Sequence, residues 1–184
     1  MTNNGEELYR RYLDGDRDAI GEIMLIYRDG LTVFINGYLH DEAESEDIAM
    51  DVFLYLLTHP GRYDFRGSLK AYLYTIGRSR AIDRLRRRAK IRTVELFEAT
   101  EVAADTPSPA EEYADRERRR ALASALKVLP AAQGEAVRLV YFEKLTYAET
   151  AKIMRKSPKQ VDNLLTKAKR SLHGTLTKGG WGNK

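Results

Sequence analysis

TYAETAKIMRKSPKQVDNLLTKAKR, Thr146–Arg170, is the stretch that decides the reading of this chain. Its spacing predicts two short helices with a sharp turn between them. Thr146 stands where an N-cap is needed, and Glu149 three residues later can close a capping box. Ser157 can cap the second helix, with Pro158 at its first position, where a missing N–H costs nothing. Apolar residues at Ala148, Ala151, Ile153 and Met154, then at Val161, Leu164, Leu165 and Ala168, give each helix one buried stripe. The face left outside by the second helix carries Lys159, Gln160, Asn163, Thr166, Lys167 and Arg170. These types bond base edges and phosphates in a major groove. The expectation is a DNA-binding helix-turn-helix; the plain alternative is a helical hairpin with a solvated basic face.

Bulk properties narrow the field. Of 184 residues, 43% are hydrophobic, enough for one large or two small packed domains rather than a disordered chain. With no cysteine, disulfides, thiol catalysis and thiolate zinc sites are excluded. The opening MTNNGEELYRRYLDGD has no apolar core of a secretory signal, and no window is apolar enough to span a bilayer. A cytoplasmic protein without membrane insertion is therefore expected. The net charge is only +4, but it is unevenly placed. Asp41–Asp51 holds six acids and no base, Arg78–Arg92 eight bases and one acid, Thr93–Asp115 seven acids and no base. Lys152–Lys178 is basic again. Two basic blocks parted by an acidic one suggest two DNA-facing modules.

The chain divides in the same places. Ile20, Ile23, Met24, Tyr27, Leu31, Phe34, Ile35 and Tyr38 mark one long amphipathic helix or a broken pair. Asp41 and Glu44 are candidate caps of the next helix, which should bury Ile48, Val52, Phe53 and Leu56 and end before His59-Pro60-Gly61. After a loop, a helix carrying Leu69, Tyr72, Leu73, Ile76, Ile82 and Leu85 runs into the arginines. No strand-like alternation persists, so the fold class is all-α. Two helical domains are expected: residues 1–91, an acidic flexible linker at 92–112, a helix-turn-helix four-helix domain at 113–178, and a frayed tail at 179–184. Tyr113, Leu122, Ala125, Leu126 and Leu129 form the stripe that opens the second domain, and a short helix around Ala136 to Phe142 leads into the motif.

Three segments carry a family resemblance. They are SEDIAMDVFLYLL (Ser45–Leu57), AYLYTIGRSRAIDRLRRR (Ala71–Arg88) and LPAAQGEAVRLVYFEKLTYAETAKIMRKSPKQVDNLLTKAKRSL (Leu129–Leu172). In this order the chain resembles bacterial sigma-70 family sigma factors, in the small extracytoplasmic-function group that keeps only regions 2 and 4. The resemblance implies that the protein binds core RNA polymerase, through its β′ and β subunits, and directs it to promoter DNA. It also implies an anti-sigma partner. Glu44, Asp47, Ile48, Asp51 and Val52 would form the polymerase-docking face; Asp47 and Asp51 lie four residues apart, on one helix face. Phe65, Arg66, Tyr72, Tyr74, Arg78, Ser79, Arg80, Asp83, Arg84, Arg86 and Arg87 would read and open the −10 element, with Arg88 completing the arginine cluster. Arginines neutralise phosphates and aromatic rings stack on an unpaired base. Ser157, Pro158, Lys159, Gln160, Asn163, Thr166, Lys167 and Arg170 would read the −35 duplex. The chain departs from the family pattern at Tyr72, where tryptophan is common, and at Ser79, where asparagine is. Arg155 stands at a turn that often has glycine, and Thr150 at a usually apolar position.

The alternatives are of other classes. A conventional helix-turn-helix regulator with an N-terminal sensing or dimerisation bundle would leave the arginine helix and the acidic face unexplained. A protein recognising structured RNA would need an aromatic platform, and none is visible. An enzyme is the least supported: His40, His59 and His173 are scattered without metal-ligand spacing, and there is no nucleophile–base constellation. No catalytic residue, metal or cofactor is expected.

Overall fold

The computed structural model describes residues 5–92, 126 and 128–178. Helices and the turns between them make up the described residues, with no strand among them. They fall into two compact units.

The N-terminal unit has four helices: α1 (Gly5–Leu13), α2 (Ala19–Leu39), α3 (Glu42–Thr58) and α4 (Leu69–Arg92). The long helical pattern is one unbroken helix, α2, and the other three all pack on it. Ile23, Tyr27, Leu31, Phe34 and Ile35 of α2 are buried, as are Ile48, Val52, Phe53 and Leu56 of α3. On α4, Leu69, Leu73, Tyr74 and Ala81 complete this core. Gly77 lets α4 come close to α2, since a Cβ there would lie 2.9 Å from Leu31 Cδ1. Helix α4 starts at two caps. Ser68 Oγ accepts from the Ala71 N–H at 3.2 Å, and Glu6, from the distant α1, accepts from the Leu69 N–H at 2.6 Å. Asp41 caps α3 as expected, accepting from the Glu44 N–H at 3.0 Å. Glu44 does not close a capping box; its carboxylate turns to arginines of α4 instead.

The described part of the C-terminal unit has three helices. Helix α5 (Ala131–Val137) runs on into a π-helical turn at Arg138–Phe142. Then come α6 (Tyr147–Met154) and α7 (Pro158–Lys178), with α5 packed on α7. The stripe on α7 is as read: Val161, Leu165 and Ala168 are buried and Leu164 is half-buried. On α6 one position differs. Ala148 is exposed, and Thr150, Ala151, Ile153 and Met154 form the buried side. The linker at 92–112, the stripe from Tyr113 to Ala125 and the tail lie outside the described residues, Arg92 apart.

Thr150 is fully buried, and its hydroxyl has no hydrogen-bond partner among the described residues. A buried hydroxyl left unpaired costs about 1–3 kcal/mol. Thr150→Val keeps the shape and removes that cost, so it is expected to stabilise the C-terminal unit by about 1 kcal/mol. Urea unfolding checks this, and a midpoint at or below that of the parent contradicts it.

Candidate functional site

The turn of the helix-turn-helix forms as its sequence dictates. Thr146 and Glu149 make a reciprocal capping box: the Thr146 N–H donates to Glu149 Oε2 at 2.9 Å, and the Glu149 N–H to Thr146 Oγ1 at 3.2 Å. Ser157 and Gln160 repeat it at α7, with bonds of 2.8 and 3.2 Å. Between them Arg155 takes φ +54°, and the Lys156 N–H reaches back to the Ala151 carbonyl at 2.9 Å. That is a Schellman-type stop with arginine where glycine is easiest, a strain of about 1 kcal/mol. Ser157, Pro158, Lys159, Gln160, Asn163, Thr166, Lys167 and Arg170 are all exposed. Gln160 spends its amide oxygen on the cap, which leaves its NH₂ group to point outward.

In the N-terminal unit, Tyr72, Ile76, Ser79 and Arg80 share one side of α4. With Tyr55 of α3 and Arg62 they line an open groove of about 430 Å³. The Arg80 guanidinium lies 5.8 Å from the Tyr55 ring centroid. Burial raises the Tyr72 phenol above its ordinary pKa, so it stands in the groove as a neutral ring. Beside it is an aromatic cluster. Tyr63 lies 5.3 Å from Tyr72 and 4.8 Å from Phe65, and the Arg10 guanidinium sits 4.9 Å over the Phe65 ring. Phe65 takes φ +60°, unusual for a bulky residue. The loop is tied down by the Tyr63 hydroxyl donating to the Gly67 carbonyl and by the Arg66 N–H donating to Asp64 at 3.1 Å. Tyr55, Arg62 and Ile76 belong to this groove and were missed in the sequence. The signal available was the Asp51/Tyr55 spacing of one turn.

The arginine helix is more engaged than its sequence suggests. Arg80, Arg84 and Arg88 recur every four residues and face α3, which runs the other way. Arg80 pairs with Asp51 at 3.0 Å and Arg84 with Glu44 at 2.9 Å. Arg88 pairs with Asp41 at 3.1 Å and also with Glu44. Arg86 pairs with Asp83 at 3.4 Å along α4. Arg87 is exposed and makes no ion pair among the described residues. Arg78 is half-buried, and Arg66 is exposed beside Asp64 at 3.4 Å.

Three expectations need correction. Tyr74 is fully buried with its ring 5.0 Å from Phe34, so it is a core residue and not a base contact. Ile48 and Val52 are 5% and 0% exposed, so neither forms part of a docking face. They fall on the inner side of α3 because Asp47, Met50, Asp51 and Leu54, at i, i+3, i+4 and i+7, hold the outer one. Met50 and Leu54 are 48% and 57% exposed. Glu44 is turned inward, its side chain 17% exposed.

Residues 25–91 match the model for sigma-70 region 2, and residues 119–172 match that for sigma-70 region 4. The chain belongs to the sigma-70 family. Among curated relatives, the ECF RNA polymerase sigma factor BldN of Streptomyces coelicolor is 31% identical over 170 residues, covering 90% of this chain and 63% of its own. The ECF sigma factor SigK of Mycobacterium bovis is 24% identical across 96% of this chain and 95% of its own. Two solved structures share the fold. The sigma factor RpoE, solved with the anti-sigma factor NepR from Bartonella quintana, has a TM-score of 0.72 at 20% identity, covering 87% of this chain and 98% of its own. CnrH, solved with the cytosolic domain of CnrY, has a TM-score of 0.66 at 20% identity, covering 96% and 99%. The function of this sigma factor is therefore promoter-specific initiation of transcription with RNA polymerase. No helix among its described residues is long and apolar enough to cross a membrane.

Proposed function

We propose a division of labour among three surfaces of this sigma factor. Asp47, Met50, Asp51 and Leu54 on the outer side of α3 dock on core polymerase. Charge on this face steers and registers the partner, and the two apolar residues supply buried area. The groove at Tyr55, Arg62, Tyr72, Ser79 and Arg80, with the Phe65 loop beside it, holds an unstacked base of the −10 element. Arg84, Arg86 and Arg87 lie along the strand's phosphates. The exposed face of α7 reads the −35 element in the major groove, with Lys159 and Asn163 nearest the bases and Lys167 and Arg170 nearer the backbone. Residues 1–91 are the region 2 domain, 113–178 the region 4 domain, and 92–112 the linker. The observation that carries this reading is the open groove that brings Tyr72, Ser79 and Arg80 together with a second aromatic ring.

The protein acts as a binding factor in the bacterial cytoplasm and has no catalytic residue of its own. Its regulation by an anti-sigma protein is part of the proposal, supported by the anti-sigma partner named for one structural relative, RpoE. Replacing Lys159 and Asn163 together with alanine tests the α7 assignment. The variant should lose discrimination among −35 sequences, about 1–3 kcal/mol for each base pair read, with polymerase affinity retained. Competition binding of holoenzyme to permuted −35 duplexes measures it, and an unchanged preference contradicts the assignment.

A further inference from the structure

Asp51 stands where two surfaces meet. It lies on the outer side of α3 with Asp47, and one turn before Tyr55 it borders the groove. Its carboxylate is engaged by Arg80 of that groove at 3.0 Å. The Arg80 guanidinium also lies 5.8 Å from the Tyr55 ring centroid, one turn along α3 from Asp51. Of the other rungs between α3 and α4, Glu44 is 17% exposed and gripped by both Arg84 and Arg88, and Asp41, 44% exposed, shares Arg88 with it. The Asp51–Arg80 rung is open, its side chains 57% and 35% exposed. An ion pair so exposed shifts an equilibrium by no more than about fivefold, so either partner can exchange it readily.

We propose that Asp51 and Arg80 couple polymerase docking to DNA capture by exchanging partners. While they hold each other, a phosphate approaching Arg80 meets the Asp51 carboxylate, and a polymerase cation approaching Asp51 meets the Arg80 guanidinium. A polymerase cation that takes Asp51 frees Arg80 for the strand in the groove. By linkage, a strand that takes Arg80 frees Asp51 for polymerase by the same factor. The inference rests on the docking face and the groove proposed above.

The test uses the full chain, core polymerase, and a fluorescent single-stranded oligonucleotide carrying the −10 non-template sequence of a promoter this protein uses. Free Asp51→Asn protein should bind the oligonucleotide about three- to fivefold more tightly than the parent. The slope of its affinity against salt should steepen by about 0.7, one more phosphate neutralised. Arg80→Ala, whose carboxylate is freed, should bind core polymerase about three- to fivefold more tightly than the parent. A merely structural ion pair predicts neither gain. Unchanged or weaker binding in either variant overturns the exchange while leaving the surfaces intact. Failure of parental holoenzyme to bind the oligonucleotide at all overturns the groove as a DNA seat, and the exchange with it.

Discussion

Tyr74→Ala should destabilise the N-terminal unit by about 3–5 kcal/mol, a large part of the roughly 5–15 kcal/mol that holds an ordinary domain folded. The ring is fully buried where α4 meets α2, 5.0 Å from Phe34 and 5.5 Å from the Lys70 ammonium. Removing it leaves a cavity that three packed helices cannot close. Tyr72, two residues earlier, gives the opposite result. It is half-exposed and lines the groove, so Tyr72→Ala should leave most of the fold standing. It should instead weaken capture of the unstacked strand by about 1–3 kcal/mol. Urea unfolding of both variants separates the roles. A Tyr74→Ala loss under 1 kcal/mol would contradict its place in the core.

Asp47→Lys combined with Leu54→Glu should weaken binding to core polymerase about a hundredfold or more, near 2.7 kcal/mol. Asp47 is exposed, makes no ion pair among the described residues, and lies on the same side of α3 as Leu54. Like charge set against a complementary partner costs several kcal/mol, and a charge buried against an apolar contact adds to that. Both positions face water in the free protein, so the unfolding midpoint should move little. Fluorescence competition for core polymerase measures the loss. Affinity within threefold of the parent would remove α3 as the docking face.

Much of this molecule could be read from its sequence because its signals are local. Thr146 with Glu149 writes a capping box within four residues and Ser157 marks the next cap; the structure forms both and adds Gln160 as the partner of Ser157. The 3.6-residue period of α2 and α3 placed their cores correctly. What escaped depends on which way a helix is turned against its neighbours. Periodicity alone puts Ile48 and Val52 inside, where α3 packs on α2; it is the family resemblance that also sets them on the docking face. Tyr72 and Tyr74 look equivalent in sequence, but two residues apart on a helix is about 200° of rotation, so one lines the groove and the other is core. The Arg80–Asp51 and Arg84–Glu44 pairs join residues far apart in the chain, and periodicity within either helix alone cannot show that the basic and acidic blocks are partners. Arg155 was legible as a residue out of place, and its positive φ is the strain that its position implied.

This chain is expected to carry RNA polymerase to promoters through two DNA-reading units. Transcription of fragmented host DNA by core polymerase, with and without the protein, tests it most directly once the start sites are mapped. New starts are expected, each preceded by two sequence elements at a fixed spacing, and these should be lost with the Asp47→Lys/Leu54→Glu variant. No new starts from a preparation that binds both core polymerase and duplex DNA would contradict it.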